Sequence, residues 1–198
     1  EKESLEAAIQ HRLTLELLNE EMLKIPPGSE GLVLQPYWGP GLSRPLSKGS
    51  IIGFSDTHTR IHLYRAIIEG IAYALRDGLE EFESRRLHHK IKEIRISGGG
   101  SQSDAICQIT SDIFGLPVSR VQTYETSSLG AAIVGFIGIN EYQNIDDATK
   151  EMVKVSKTFY PNMDNHQKYD YLFYKAYRKM YPKLKGIYKD VKNFNNKF

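Results

Sequence analysis

Hydrophobic positions along this chain recur with two distinct periods, and the switches between them mark out its elements. Leu5, Ala8, Ile9, Leu13, Leu17 and Leu18 recur at intervals of three and four behind a capping Ser4, which predicts an amphipathic helix ended by Pro26-Pro27-Gly28. Gly31-Leu32-Val33-Leu34 reads as a buried strand, the stretch from Pro36 to Pro45 is too rich in Pro and Gly for regular structure, and Ile51-Ile52 predicts a second short strand. From Thr59 to about Leu87 the helical period returns, with Ile61, Tyr64, Ile68, Ile71, Leu75 and Leu79 as an apolar stripe expected to face the core. Within it Ala66, Gly70 and Ala74 stand four apart. A glycine inside a helix costs about 1 kcal/mol relative to Ala, so Gly70 predicts that another backbone packs closely there.

Alternation takes over at Ile91-Lys92-Glu93-Ile94-Arg95-Ile96, a strand pattern that runs into Ser97-Gly98-Gly99-Gly100 and then into a helix from Asp104 to Phe114. Gly115-Leu116-Pro117-Val118 turns the chain into another short strand. Ser127 to Ile137 predicts a helix rich in Ala and Gly, and Asp146 to Val155 a surface helix. The tail from Asp164 to Asp190 carries Tyr169, Leu172, Phe173, Ala176, Tyr177, Met180, Leu184, Ile187 and Tyr188 at helical spacing, an aromatic stripe that reads as a packing face. Strand, turn and helix in alternation predict an α/β fold.

Composition bounds what such a fold can do. With 198 residues, 40% hydrophobic and 25% charged, the chain suits one domain, and a net charge of +2 provides no field that would gather nucleic acid or a membrane surface. No apolar run reaches the roughly 20 residues of a membrane span. The single cysteine, Cys107, excludes an intrachain disulfide, suits a reducing cytoplasm, and sits in an apolar helical pattern as a small buried side chain rather than a reactive thiol. The chain opens without Met in the middle of a helical pattern, as expected of a piece of a longer protein.

The strongest chemical signal is the turn Gly98-Gly99-Gly100. Three glycines after a strand let the backbone come close to a ligand, and the helix that follows aims free N–H groups and its positive end at an anion. A phosphate cradle and a plain tight connection both satisfy this pattern. A dinucleotide fingerprint is weak, since Ser103 stands where a third glycine is wanted, and a Walker loop is excluded because the sequence has no Gly-Lys pair. His58 and His62 lie four apart but lack the Glu and third ligand of a zinc motif, and Arg85 to Lys90, with His88-His89, reads as a solvated basic helix end. No metal ligand set and no nucleophile with its base emerges.

Three stretches together resemble the C-terminal domain of the FGGY carbohydrate kinases. Gly49-Ser50-Ile51-Ile52-Gly53-Phe54, the linker Ser55 to Ile61, and His62 to Glu69 are similar to that family's second signature, with Phe54 in place of its usual aliphatic residue. Ile96 to Asp104, ending in Ser111-Asp112-Ile113-Phe114-Gly115-Leu116-Pro117-Val118, resembles its adenosine motif, and Glu125-Thr126-Ser127-Ser128-Leu129-Gly130-Ala131-Ala132 resembles its Glu-plus-small-residue segment. The resemblance implies an actin-like ATPase (ribonuclease H-like) domain over residues 1–198, the C-terminal half of such a kinase with an extra C-terminal helix. It also implies that the N-terminal part of the domain, the sugar-binding domain and the family's Asp base lie elsewhere. It implies ATP and Mg2+ as cofactors, a sugar or polyol as substrate, and a nucleotide held by Gly98, Gly99 and Gly100 with Ser103 or Asp104 reaching the adenosine. No residue of this chain is assigned a catalytic role. A non-catalytic nucleotide-sensing or assembly module on the same fold is the alternative, and association of like copies is compatible with either.

Overall fold

The computed structural model describes residues 4–5, 14–39, 44–85 and 90–197. In chain order they form α1 (Thr14–Lys24), a 3-10 turn (Ser29–Gly31), β1 (Val33–Gln35), β2 (Ser50–Ile52), α2 (Arg60–Arg85), β3 (Ile94–Ile96), a second 3-10 turn (Gly99–Gln102) and α3 (Asp104–Phe114). There follow β4 (Val118–Val121), α4 (Thr126–Gly138), α5 (Ile145–Met152), β5 (Val155–Phe159), α6 (Met163–Leu172), a π-helical segment (Phe173–Tyr177) and α7 (Arg178–Lys197). β1 and β2 pair antiparallel, with Val33 opposite Ile52. β3 and β4 pair parallel, Ile96 opposite Arg120, and β5 adds antiparallel to β4. The parallel pair needs a crossover, and the glycine turn plus α3 supplies it. The positions Ala8, Ile9 and Leu13 of the first predicted helix, the loop residues 40–43 and residues 86–89 of the basic cluster lie outside the described residues.

The core forms where α1, β1, α2, α3 and the C-terminal helices meet, around Met22, Val33, Ala72, Tyr73, Ile109, Ile113, Tyr169, Phe173, Tyr177 and Met180. Tyr73 stacks on Phe173 with ring centroids 5.7 Å apart and lies 5.2 Å from Tyr177. The aromatic stripe of the tail is therefore a packing face, as its spacing predicts. Gly70 also behaves as expected: a Cβ there would lie 2.5 Å from the Leu34 carbonyl oxygen, so α2 seats directly on the backbone of β1.

Three expectations need correction. The apolar stripe of α2 does not face the core along its length, because Ile71 is 42% and Leu75 60% exposed while Arg65, Glu69, Arg76 and Asp77 are buried. Those charges are buried because they are paired. Arg65 Nε donates to Glu69 Oε1 at 2.7 Å, and Glu69 also accepts from the amide of Gly28, the hydroxyl of Ser29 and the hydroxyl of Tyr169. Arg65 Nη1 donates to the carbonyls of Met22 and Ile25, so one ion pair ties α1, α2 and α6 together. The helix expected from Asp146 to Val155 ends at Met152, and Val155 opens β5, an edge strand whose Val155, Ser156 and Lys157 are exposed and whose alternation is correspondingly faint. The strand expected from Ile91 is regular only over Ile94–Ile96.

Candidate functional site

The glycine turn owes its shape to one residue in particular. Gly98 has φ +83° and ψ −179°, a conformation that side chains rarely adopt, and this lets the chain leave β3 sharply. Its amide donates to the Tyr124 carbonyl at 3.2 Å, just ahead of α4, so the second and third sequence motifs meet at the turn. Its carbonyl accepts from both the amide and the hydroxyl of Ser101. Gly99 and Gly100 have no such local cause. Neither has a positive φ, a Cβ on Gly99 would meet nothing within 4 Å, and one on Gly100 would only touch Ile106 at 4.0 Å. Nothing within the described residues requires glycine at these two positions. Being first in a 3-10 turn, their amides lack intrahelical acceptors and are available to an anion.

Ser103 is the N-cap of α3: its hydroxyl accepts from the Ile106 amide at 3.3 Å. Its lone pair is thus engaged by its own helix. The Asp104 carboxylate pairs with Arg120 Nη1 at 3.0 Å and with Lys157 Nζ. The Lys157 hydrogen bond, aided by Arg120, holds its carboxyl below the usual carboxylate range. Cys107 is fully buried with its thiol on the Ser101 carbonyl, and burial pushes that thiol up, as befits a packing residue behind the turn.

Two clefts flank the glycines. One, of about 420 Å³, is lined by Leu15, Glu16 and Asn19 of α1, Tyr64 of α2, and Gly99, Gly100, Gln102, Ser103 and Ile106. The other, of about 380 Å³, lies between α2 and β3 and is mostly aliphatic, with Ile68, Ile71, Leu75, Ile94 and Ile96 among its lining residues. Both volumes fall in the range of small-molecule sites. Sequence reasoning missed Asn19 and Tyr64. Tyr64 sits within the first motif, in the apolar stripe, yet its hydroxyl donates to Asn19 Oδ1 at 3.0 Å across the first cleft, and burial raises its pKa. His62, by contrast, accepts at Nδ1 from the Thr59 amide and faces Glu30, an arrangement that fastens the start of α2.

Comparison with known proteins bears on this geometry. The profile of the FGGY family of carbohydrate kinases, C-terminal domain, matches residues 2–139. A xylulose kinase of Staphylococcus epidermidis is 34% identical over 173 residues, which are 85% of this chain and 34% of that protein. A xylulose kinase of Bacillus subtilis is 31% identical over 186 residues, 91% of this chain and 36% of that protein. The crystal structure of xylulose kinase from Rhodospirillum rubrum superposes with a TM-score of 0.76 at 28% identity, covering 89% of this chain and 35% of that one. The chain thus spans about a third of the length of the curated relatives it matches. No helix among the described residues is long and apolar enough to cross a membrane.

Proposed function

The chain belongs to the FGGY family of carbohydrate kinases, and from that membership we propose that it is the nucleotide-binding part of an ATP-dependent sugar or polyol kinase. Its fold is the actin-like α/β arrangement of those kinases, ending in the helices from Met163 to Lys197. Residues 1–198 form the C-terminal nucleotide-binding domain in this reading, and the sugar is held by a part of the enzyme that this chain does not supply. The observation that carries it is the pair Gly99 and Gly100, glycines without a local structural cause that line a cleft of small-molecule size.

The amides of Gly99 and Gly100 bind phosphate oxygens, Gly98 bends the backbone so that they can, and α3 adds the positive end of its dipole through the amide of Asp104. Ser103 borders the adenosine in the cleft walled by Leu15, Tyr64 and Ile106, whose apolar surfaces suit a base, with Asn19 as a polar partner. When carried in with the nucleotide, Mg2+ would screen the charge of its phosphates; no residue of this chain is assigned to hold it. Bound ATP supplies the γ-phosphoryl group; the chain orients it and screens its charge, which is most of what such a transfer needs from this side of the site. A reducing cytoplasm fits the single buried Cys107. The names of the relatives point to xylulose, a pentulose, as the first acceptor to try.

Calorimetry of the chain with ATP, against NAD as comparison, tests the reading. ATP binding weakened about tenfold or more by Gly99→Val is the expected result. NAD binding without ATP binding, or an ATP affinity that Gly99→Val leaves alone, overturns it.

A further inference from the structure

At the carbonyl end of the glycine turn stands the guanidinium of Arg120. Arg120 is on β4 opposite Ile96, the residue from which the chain enters the turn. Its Nη1 lies 3.0 Å from the Ser101 carbonyl oxygen, 3.2 Å from that of Gln102, and 3.0 Å from Asp104 Oδ1. Its neighbour across the sheet, Lys157 on β5, takes the other oxygen of Asp104. Both cations rest against the Phe159 ring, Arg120 Cζ at 5.7 Å and Lys157 Nζ at 4.9 Å from its centroid. Arg120 is largely covered.

We propose that Arg120 is a positioning residue for nucleotide binding, acting through the turn and through Asp104 without touching the nucleotide. The inference rests on the nucleotide reading of the turn given above. Two physical tasks follow from the contacts. First, the 3-10 turn is a short dipole whose carbonyl end is Ser101 and Gln102; a cation on that end holds both peptide planes, and so keeps the amides of Gly99 and Gly100 aimed at the opposite side. Second, a carboxylate at the start of α3 would repel an approaching phosphate, and pairing Asp104 with Arg120 and Lys157 cancels that charge while leaving its amide free. Ser101 extends the coupling. Its carbonyl also accepts from the Cys107 thiol at 3.3 Å, so the turn, α3 and β4 share one oxygen.

This role predicts a charge-specific rescue that a merely structural residue would not show. Arg120→Met should weaken ATP binding by about tenfold, the loss of charge-assisted hydrogen bonds to the turn, while adenosine, which carries no phosphate, binds as before. Adding Asp104→Asn to Arg120→Met should recover about threefold of the ATP affinity, since the uncompensated carboxylate is then gone. Calorimetry with ATP and adenosine on wild type, Gly99→Val, Arg120→Met and the double variant reads all of this, with circular dichroism melts to establish that each is folded. If Arg120→Met does not fold, Arg120→Lys carries the test. It keeps the charge but not the fork, and a loss of about threefold for ATP alone is expected. Wild-type ATP binding sensitive to Gly99→Val but indifferent to the Arg120 variants overturns the positioning role and leaves the nucleotide reading standing. Equal losses for ATP and adenosine, or no recovery on removing the Asp104 charge, overturn it as well. Absence of ATP binding by the wild type overturns both.

Discussion

Gly70 and Leu34 are in backbone contact: a methyl group on the glycine would sit 2.5 Å from the leucine carbonyl oxygen and 2.9 Å from its Cδ2. Since the obstacle is a strand backbone and not the tip of a side chain, α2 and β1 must separate to admit even one carbon. Gly70→Ala should therefore destabilise the chain despite its better helix propensity, and Gly70→Leu more so, by about 1–3 kcal/mol or above. Urea melts check it; unchanged midpoints would mean that β1 yields freely.

Adjacent glycines in the turn should separate cleanly. Gly98→Ala forces a side chain into a backbone conformation nearly restricted to glycine and is expected to cost about 1–3 kcal/mol, whereas Gly99→Ala, with open space around it, should lie within about 0.5 kcal/mol of wild type. Equal costs at the two positions in denaturant titrations would contradict the turn geometry described above.

The buried pair Arg65 and Glu69 is 4% and 2% exposed. Arg65→Met leaves the Glu69 carboxylate buried with its hydrogen-bond donors but without its cation, and should cost about 3–5 kcal/mol. A loss below about 1 kcal/mol, measured by chemical denaturation, would mean that water reaches Glu69.

Asp104 gives a pH signature. Its folded pKa lies below the ordinary 3.8, because the Lys157 hydrogen bond, with Arg120, favours the charged form. A depressed folded value means stability that is fully present above the unfolded value and is lost as pH falls through the folded one. Asp104→Asn should therefore flatten the acid-side decline in stability below about pH 4, by a small amount given its exposure. An unaltered acid limb in melts from roughly pH 6 down to 2 would show that the pairing is not felt in solution.

The 198-residue chain tested alone is expected to release no ADP in response to sugars or polyols. Phosphoryl transfer needs the acceptor hydroxyl held in line as well as a bound nucleotide, and the chain covers a third of its relatives' length. A coupled ADP-release assay over pentuloses, hexuloses, glycerol and pentitols decides it. Turnover that depends on the sugar would show that this chain supplies the acceptor site.

Local chemistry was legible in the sequence where it is self-contained. The helix from Asp104 to Phe114 begins after the strand-and-glycine signal and ends at Gly115 as read, and the close approach at Gly70 follows from helix propensity alone. The aromatic stripe from Tyr169 to Tyr188 is likewise visible from spacing. What could not be read depends on distant partners. Periodicity names only the Ile, Leu and Tyr stripe of α2 for the core, yet Arg65 meets Tyr169 and Glu69 meets Ser29, partners far apart in sequence whose arrival no local window reveals. Tyr64 packs against the core as its place in the stripe predicts, but the hydroxyl bond to Asn19 across the cleft likewise depends on a distant partner, α1. Position alone makes Ser103 and Asp104 stand out, but Asp104's side chain answers to β4 and β5, which the sequence does not place beside it.

The π-helical segment Phe173–Tyr177 has a bearing on chain length. Tyr169, Phe173 and Tyr177 are spaced by four, a step that in an α-helix drifts about 40° around the axis each time, and the wider π turn absorbs that drift so that all three reach the core. α7 then continues on a face set by this extra residue, with Met180 buried and the Tyr188 hydroxyl donating to Ser50 Oγ at 2.9 Å. Deleting one residue from the segment would close the wide turn to an ordinary α turn and leave α7 nearly in phase, whereas the same loss from the regular turns of α6 would rotate everything after it by about 100°. That second loss would swing Tyr188 off β2 and Met180 out of the core, with no side chain altered. The tail's sensitivity to its residue count is therefore uneven: a single-codon loss at the wide turn can be absorbed, whereas one in the regular turns before it would undock the last helix as a unit.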